Sequence, residues 1–288
     1  MPRFHRTALA AVSLALAAAG AQAITLVGLT SANQLARIAT TDIGGAITTA
    51  ITGLAAGDRL VGIDLRPGDS KIYGISLSNK IYTVNEMTGA ASQVAMLANP
   101  VIQPNLGYGI DFNPLADFNG AASLRLISSA GGNYAVNANT GAVTTATAIA
   151  SGYTAVAYTN SMPMPVVAPA APALYYINTS SDMLMLAPGN FNNPSIAAVG
   201  ALGVDALKAN GFEIANGMGY AALNLDDGTS LATGIFGINL ATGGATLIGT
   251  YNGTLSGLTV SAVPEPQTLA LMLAGLVAVG ALARRRQA

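Results

Sequence analysis

The chain has 288 residues, of which 51% are hydrophobic and 9% are charged, and its formal net charge is -1. This apolar content excludes an intrinsically disordered chain, and the absence of cysteine excludes disulfides and thiolate metal sites. Once both charged ends are set aside, residues 24–262 are mildly acidic and contain no basic cluster, which argues against a nucleic acid partner.

The N-terminal segment MPRFHRTALAAVSLALAAAGAQA has the three parts of a secretory signal peptide. Arg3 and Arg6 supply the positive charge, residues 8–19 are apolar, and Ala21-Gln22-Ala23 is a cleavage site of the A-x-A type. A membrane-spanning helix, the alternative, would need a longer apolar run and a different flank. The sequence therefore predicts export through the Sec machinery.

Cleavage between Ala23 and Ile24 assigns residues 1–23 to the signal peptide. His5 is the single histidine of the chain and would leave with this segment. The mature chain then has neither histidine nor cysteine, the residues that most often serve as general base and as soft nucleophile. Since no catalytic motif is visible either, we expect a protein that is not an enzyme.

Between residues 24 and 262 the sequence favours short strands, rich in Ile, Val, Thr and Tyr and separated by Gly, Asn and Thr-Gly turns. Three segments repeat a strand, then Asn-x-x-Thr-Gly, then a second strand. They are IYTVNEMTGAASQVAML from Ile81, NYAVNANTGAVTTATAI from Asn133 and IFGINLATGGATLIGTY from Ile235. The asparagine can accept hydrogen bonds from the turn backbone and the glycine can adopt positive φ, so each segment predicts a hairpin.

Five strands begin similar units, and about three further strands follow each of the first four. These first strands begin at Leu60, Gly107, Tyr153, Gly211 and Leu255. The fifth unit is split, because its first strand (255–261) ends the body and its other strands are predicted at 24–30, 34–40 and 46–52. We therefore predict an all-β fold, a five-bladed β-propeller closed by N- and C-terminal strands of one shared blade. A β-sandwich or a solenoid is the alternative, although a solenoid gives no reason to divide a repeat.

The repeated motifs resemble a bacterial extracytoplasmic family known as domain of unknown function 4394. The resemblance covers most of residues 28–262 and is carried by GIDLRP, IYGIS, IYTVNEMTGAAS, GIDFNP, NYAVNANTGAV, AYTN, LGVD and IFGINLATGGATLIG. It implies a fold and a location but no mechanism, because the family has no established activity. This chain departs from the family in the proline-rich insert NSMPMPVVAPAAPA (residues 160–173), which we expect to be a surface loop.

Alignment of the five first strands places one residue of each in a column that we expect to line the central channel. The column consists of Asp64, Asp111, Ala157, Glu213 and Thr259. Its three carboxylates are suited to bind a hard cation such as Ca²⁺, or to form an acid–base pair. The alternative role is structural: Asp64 and Asp111 would hydrogen-bond turn backbone, and Arg66 would pair with one of them.

Two further features have weaker functional interpretations. The segment NLDDGTS (residues 224–230) has the composition of a calcium loop but lacks its full spacing and closing glutamate, so an exposed hairpin turn is the alternative. Tyrosines are spread across the predicted blades, where most would pack in the core and one or two at a rim would be able to stack on sugar rings.

The C-terminal residues 263–288 combine a short polar motif, an apolar run at 268–283 and three arginines. The motif is Val263, Pro264, Glu265 and Pro266, and the arginines are Arg284, Arg285 and Arg286. As a transmembrane helix the run would be about 24 Å long, somewhat less than the roughly 30 Å hydrocarbon core, and snorkelling arginines can extend it. Under the positive-inside rule the arginines stay in the cytoplasm, which places the body outside the cytoplasmic membrane.

These three parts, in this order at the C-terminus, resemble the PEP-CTERM sorting signal. The resemblance implies recognition and cutting by an exosortase, a membrane protease of the transpeptidase type. It also implies a Gram-negative bacterium that makes extracellular polysaccharide. An ordinary C-terminal anchor with a chance Pro-Glu-Pro is the alternative.

The sequence thus predicts a signal peptide (1–23), a propeller domain (24–262) and a sorting segment (263–288). We expect an exported protein, anchored transiently in the cytoplasmic membrane and then placed at the cell surface or in the extracellular matrix of a biofilm. There it would bind polysaccharide or another envelope component without catalysis and with no cofactor other than Ca²⁺. The alternative is a calcium-assisted hydrolase of carbohydrates or lactones that uses the channel carboxylates.

Overall fold

The computed structural model describes residues 24–207, 211–225 and 232–262. The predicted signal peptide (1–23) and the sorting segment (263–288), with its apolar run at 268–283, lie outside the described residues. Within the described part, twenty strands form five four-stranded sheets, and there is one short helix. Neighbouring strands of a sheet are antiparallel.

The strands follow one another along the chain as the blades of a propeller. The first three are β1 (Thr25–Thr30), β2 (Gln34–Ala39) and β3 (Asp42–Ala50). Blade 1 contains β4 (Leu60–Arg66), β5 (Lys71–Ser76), β6 (Lys80–Val84) and β7 (Ala91–Met96). Blade 2 contains β8 (Tyr108–Phe112), β9 (Ser123–Ser128), β10 (Asn133–Asn137) and β11 (Val143–Thr145), with the helix α1 (Pro114–Phe118) between β8 and β9.

The second half of the chain repeats this order. Blade 3 contains β12 (Tyr153–Tyr158), β13 (Leu174–Asn178), β14 (Met183–Ala187) and β15 (Ala197–Ala201). Blade 4 contains β16 (Gly211–Ala215), β17 (Met218–Asn224), β18 (Ala232–Ile238) and β19 (Ala245–Asn252). The last strand is β20 (Leu255–Val260), which joins β1, β2 and β3 as the inner strand of blade 5.

The pairing of β20 with β1 closes the ring. Gly28 lies opposite Leu258 and Leu26 opposite Val260, so the two ends of the body share one sheet. The prediction of a five-bladed propeller with a shared closing blade is therefore confirmed. A closed ring leaves no blade without two neighbours, which limits exposed sheet edges to the outer strands.

Two local features differ from the sequence prediction. The third strand of the closing blade begins at Asp42, not at residue 46, because Ala39 pairs directly with Asp42 across a tight turn. The helix α1 was not predicted. Asn113 caps it, since its side chain accepts a hydrogen bond from Ala116 N at 2.9 Å, and Pro114 supplies a backbone already suited to the first helical position.

The three repeated Asn-x-x-Thr-Gly segments form hairpin turns as predicted. In each, the asparagine side chain accepts hydrogen bonds from the backbone N–H groups two and three residues later. The glycines adopt positive φ: 70° at Gly89, 76° at Gly141 and 84° at Gly243. The turn chemistry was therefore correctly predicted from the sequence.

The hydrophobic core consists of five clusters, one between each pair of neighbouring blades. Between blades 1 and 2, for example, the rings of Tyr73 and Phe112 meet edge to face at 5.3 Å. Hydrogen bonds thus hold each blade together, while apolar burial holds the blades to one another. This arrangement fixes the five inner strands side by side around the axis.

Candidate functional site

Three carboxyl groups meet at the propeller axis. Asp64 on β4, Asp111 on β8 and Glu213 on β16 are buried, and their carboxylate oxygens lie within 4.8 Å of one another. Ala157 on β12 and Thr259 on β20 occupy the two remaining positions of the column and are fully buried. The structure therefore brings the predicted column together, while ion binding by these residues stays a prediction.

The column hydrogen-bonds one inner strand to the next. Each of three column side chains accepts a hydrogen bond from a backbone N–H group in the neighbouring blade. The donor is the residue that directly follows the column position of that blade. The bonds are Leu65 N to Thr259 Oγ1 (2.9 Å), Phe112 N to Asp64 Oδ2 (2.7 Å) and Tyr158 N to Asp111 Oδ1 (3.0 Å). These bonds satisfy N–H groups that would otherwise be buried without a partner, so the carboxylates have a structural role.

The pattern is interrupted at Ala157, which has no side-chain acceptor for the next strand. Glu213 compensates for this gap, because its Oε1 accepts the hydrogen bond from Ile214 N at 2.9 Å. The Glu213 carboxylate also accepts from Val260 N in the following blade. The longer glutamate side chain thus serves two inner-strand N–H groups, where each aspartate serves one.

Burial raises the pKa of all three carboxyl groups, because their charged forms lose solvation by water. At Asp64 burial is the largest cause, the charge of Glu213 adds to it, and the pKa lies well above its usual value. The pKa of Asp111 is raised by burial and then by the charges of Asp64 and Glu213. Burial raises the pKa of Glu213 to about 7. The three carboxyl groups therefore release their protons at higher pH than exposed carboxyl groups do.

Arg66 does not neutralise this cluster, so the expectation that it pairs with one of the column aspartates was wrong. Its Nε donates to Asp117 Oδ1 at 2.7 Å, and its Nη1 donates to Asn139 Oδ1 at 2.8 Å and to Tyr73 Oη at 3.2 Å. Asp117 belongs to α1, which the sequence did not predict. The buried Asp117 is therefore the acid that Arg66 compensates.

Small residues close the channel on one side of the carboxyl groups. Two positions before each column residue, the inner strands carry Gly62, Gly109, Ala155, Gly211 and Gly257. A Cβ on Gly109 would lie 2.9 Å from Ala155 Cα, closer than real Cβ atoms approach. The strands leave a void of only about 10 Å³ at this level, roughly the volume for one water. The recurring Gly-Ile-Asp of blades 1 and 2 was the signal for these small residues, and the sequence analysis used it only for the family resemblance.

The proline-rich insert (160–173) covers the other side of the carboxyl groups. Residues 161–163, Pro67 and Val260 surround a void of about 10 Å³ that borders Glu213. Met164 N donates a hydrogen bond to Pro67 O at 2.8 Å, which ties the insert to the first turn of blade 1. The insert is a surface loop between β12 and β13, as expected, and it lies across the end of the channel.

A separate groove of about 450 Å³ lies on blade 4. It is lined by Gly217, Met218, Gly237, Ile238, Asn239, Leu240, Thr246 and Ile248. The lining combines exposed apolar side chains with the uncharged polar groups of an asparagine and a threonine. The sequence analysis missed this groove, because its lining comes from β17, β18 and β19 and becomes contiguous only in the folded sheet.

The segment with the composition of a calcium loop (224–230) lies outside the described residues from residue 226 onward. Asn224 is described, and its Nδ2 donates to Leu255 O at 2.8 Å while its Oδ1 accepts from the Thr233 hydroxyl at 2.5 Å. The side chain of Asn224 therefore supports the packing of blade 4 against β20. In the described ranges no helix is long and apolar enough to cross a membrane.

Two family models match the sequence of this chain. The model described as "Domain of unknown function (DUF4394)" matches residues 34–259, and the PEP-CTERM protein-sorting motif matches residues 262–287. The first match covers the propeller from β2 onward, and the second begins where the closing blade ends. No curated protein matches the chain.

Solved structures of low sequence identity are similar to this chain. A calcium-binding protein, regucalcin, from Agrobacterium tumefaciens is 15% identical, with 77% of this chain and 68% of that chain covered and a TM-score of 0.41. A protein of unknown function from Bacteroides thetaiotaomicron is 11% identical, with 78% and 57% covered and a TM-score of 0.47. A putative 6-phosphogluconolactonase from Bacteroides uniformis is 10% identical, with 80% and 83% covered and a TM-score of 0.40.

Proposed function

This chain belongs to the DUF4394 family, and from that premise we propose that its mature form is a surface protein whose propeller binds an envelope polymer without catalysis. The sorting motif implies export and membrane-anchored sorting toward the cell surface, with processing by an exosortase-type membrane protein. The polymer class we propose is extracellular polysaccharide, and the final location is the cell surface or the extracellular matrix.

The groove on blade 4 is the observation that carries this proposal. Its volume of about 450 Å³ lies within the roughly 300–1,000 Å³ of small-ligand sites. Met218 and Ile248 offer apolar surface, and Asn239 and Thr246 offer hydrogen-bonding groups. A neutral sugar unit has an apolar ring face, which matches the apolar side chains, and hydroxyl groups, which match the hydrogen-bonding side chains. The residues that line the groove include no titratable side chain, so they support binding and not acid–base chemistry.

Substitution of Met218 tests the groove. Met218 is 51% exposed and Met96, on the outer strand of blade 1, is 54% exposed, so the same change at Met96 is a matched control. We expect Met218→Arg to weaken binding of the mature chain to extracellular polysaccharide by roughly tenfold, about 1.4 kcal/mol, and Met96→Arg to leave it unchanged. Equal binding by the two variants, or no binding of the wild type to any envelope polymer, would remove the proposal.

Replacement of the Pro264-Glu265-Pro266 motif by alanines tests the sorting route. If an exosortase-type protease recognises the motif, the variant should accumulate uncut in the cytoplasmic membrane, while the wild type reaches the surface. N-terminal sequencing of the exported wild type should begin at Ile24. If wild type and variant are retained equally, the segment is an ordinary anchor.

A calcium-assisted hydrolase of carbohydrates or lactones is the second candidate. The observation in its favour is the approach of Asp64, Asp111 and Glu213 oxygens to within 4.8 Å, with a Glu213 pKa of about 7 that suits acid–base catalysis. The fit to Ca²⁺ is incomplete, because this ion takes about six to eight oxygen ligands. Both oxygens of Asp64 already take part in hydrogen bonds, one with Phe112 N and the other with Thr259 Oγ1.

Calorimetric titration with Ca²⁺ separates the two candidates. If the cluster is a metal site, the wild type should bind Ca²⁺ and Asp111→Asn should bind it more weakly. No binding heat from the wild type, together with intact polysaccharide binding, would eliminate the hydrolase and leave the non-enzymatic proposal standing.

A further inference from the structure

The described body begins and ends on one face of the propeller. Ser261 N donates a hydrogen bond to Thr25 O at 2.9 Å, which places the start of β1 beside the end of β20. All five inner strands run toward this face, which we call the tail face. The match to the sorting motif, residues 262–287, therefore begins on the tail face, where the described body ends.

The proline-rich insert lies on the same face, next to the exit of the chain. It connects the end of β12 to β13, and residues 161–163 share the lining of one void with Val260, two residues before Ala262. The insert and the C-terminal end of the described body are therefore neighbours in space, although about a hundred residues separate them in sequence.

The insert is an apolar part of the protein surface. Residues 160–173 include no charged residue. The side chains of Met162, Met164, Val166 and Val167 are exposed, and Val166 is 94% exposed. Such a cluster of exposed apolar side chains typically marks a protein or membrane contact.

The chain itself limits how far this face can be from a bilayer. Residues 263–267 separate the closing blade from the apolar run at 268–283. Fully extended, such a connection spans at most about 20 Å. Arg66, which precedes the Pro67 that contacts the insert, is also compensated, because it forms ion pairs with Asp117 and Asp69 at 2.7 and 3.9 Å. A lipid surface is therefore the occupant that the position and charge of the insert favour.

We propose that the insert rests on the bilayer while the sorting segment anchors the chain, with Met162, Met164, Val166 and Val167 entering the boundary between headgroups and acyl chains. Interfacial apolar segments enter this boundary by about 5–10 Å. The insert then orients the propeller, so that its opposite face points away from the membrane. The proposal depends on membrane attachment by the sorting segment and not on polysaccharide binding by blade 4.

Single cysteines make this orientation measurable, because the natural chain has none. Ala168→Cys places a fluorophore in the insert beside the four apolar side chains. Ala56→Cys places it at an exposed site before β4, on the opposite face. Both full chains, with their sorting segments, are reconstituted in vesicles of phosphatidylethanolamine and phosphatidylglycerol that carry a nitroxide-labelled lipid.

The nitroxide should quench the fluorophore at position 168 by roughly twofold or more and leave the one at position 56 unquenched, since quenching requires contact with the boundary region. Adding Val166→Ser and Val167→Ser to Ala168→Cys should remove most of this quenching without releasing the chain from the vesicles. Iodide in the aqueous phase should quench position 56 more strongly than position 168.

Three outcomes would overturn the proposal. Equal accessibility of both positions to iodide would show that the insert is in water. Protection of position 168 from both iodide and the lipid nitroxide would show that protein covers it, either the sorting segment or a second copy of the chain. Failure of the full chain to stay with the vesicles would remove the anchor on which the proposal rests.

Discussion

The Thr259 hydroxyl oxygen, Oγ1, lies 2.8 Å from Glu213 Oε2 and 3.0 Å from Asp64 Oδ1. Thr259 Oγ1 also accepts a hydrogen bond from Leu65 N. One hydroxyl hydrogen cannot be donated to two carboxylates at once, so the second contact is a hydrogen bond only if one carboxyl group is protonated. We infer that the cluster shares at least one proton, which agrees with the raised pKa of each of its acids.

The shared proton predicts that the protein loses stability as the pH rises. The pKa of Glu213 is about 7 in the folded chain against an ordinary value of 4.5. Below the ordinary value both states hold the proton. Between the two values only the unfolded chain releases it, so the free energy of unfolding falls by on the order of 3 kcal/mol. The raised pKa values of Asp64 and Asp111 act in the same direction.

Urea denaturation at several pH values between about 4.5 and 8 measures this effect. Glu213→Gln is the control, because the amide resembles the protonated acid in shape and cannot titrate. We expect its free energy of unfolding to vary less with pH than that of the wild type. A wild type that becomes more stable as the pH rises over this range would contradict the shared proton.

The inner-strand glycines predict a second, independent effect on stability. Gly109→Ala should destabilise the protein by about 1–3 kcal/mol or more, because the new Cβ would meet the backbone of Ala155 and force blades 2 and 3 apart. Gly44→Ala is the matched control, since a Cβ on Gly44, in the outer strand β3, has nothing within 4 Å. Thermal unfolding of both variants checks the prediction. Equal melting temperatures would show that the inner strands can move apart at this level without loss of stability.

The fold was predictable from the sequence because propeller blades repeat. The spacing of the Asn-x-x-Thr-Gly turns, the alignment of five first strands and the split fifth unit each determine part of the topology without any knowledge of side-chain packing. The same alignment placed Asp64, Asp111 and Glu213 in one column, which the structure brings to the axis. Turn chemistry and strand order are local or periodic properties, and a sequence displays such properties directly.

The role of the column was not predictable in the same way. The N–H groups that it satisfies belong to residues that follow the column positions in other blades, such as Phe112 for Asp64. The partner of Arg66 was missed because α1 is a five-residue helix with no apolar periodicity. The groove on blade 4 depends on which side chains of adjacent strands share a face. Each of these depends on contacts between segments distant in the sequence.

The ion pair of Arg66 with Asp117 predicts a further measurable cost. Asp117 is buried, and its other oxygen accepts a hydrogen bond from Gly68 N at 2.7 Å, so removal of the cation would leave a buried charge. We expect Arg66→Met to lower the free energy of unfolding by about 3 kcal/mol, whereas Lys71→Met, which removes an exposed cation from the same blade, should change it little.

A second substitution separates the charge from the packing of the Arg66 side chain. Adding Asp117→Asn to Arg66→Met keeps an acceptor for Gly68 N and removes the unpaired charge. The double variant should therefore be more stable than Arg66→Met alone, and a double-mutant cycle measures the coupling. Strictly additive losses would show that Arg66 acts through packing alone.

Alanine substitution of two glycines with positive φ should separate the cost of backbone strain from the cost of steric overlap between blades. A Cβ on Gly141, at φ 76°, would overlap the carbonyl oxygen of Met96 at the end of blade 1. Gly57 has nearly the same φ of 75°, but a Cβ there has nothing within 4 Å. Gly57→Ala should thus cost only the strain of a left-handed backbone, about 1–2 kcal/mol, whereas Gly141→Ala should add about 1–3 kcal/mol of steric overlap. Chemical denaturation of the two variants measures the difference, and equal losses would mean that the turn of blade 2 is not held against blade 1.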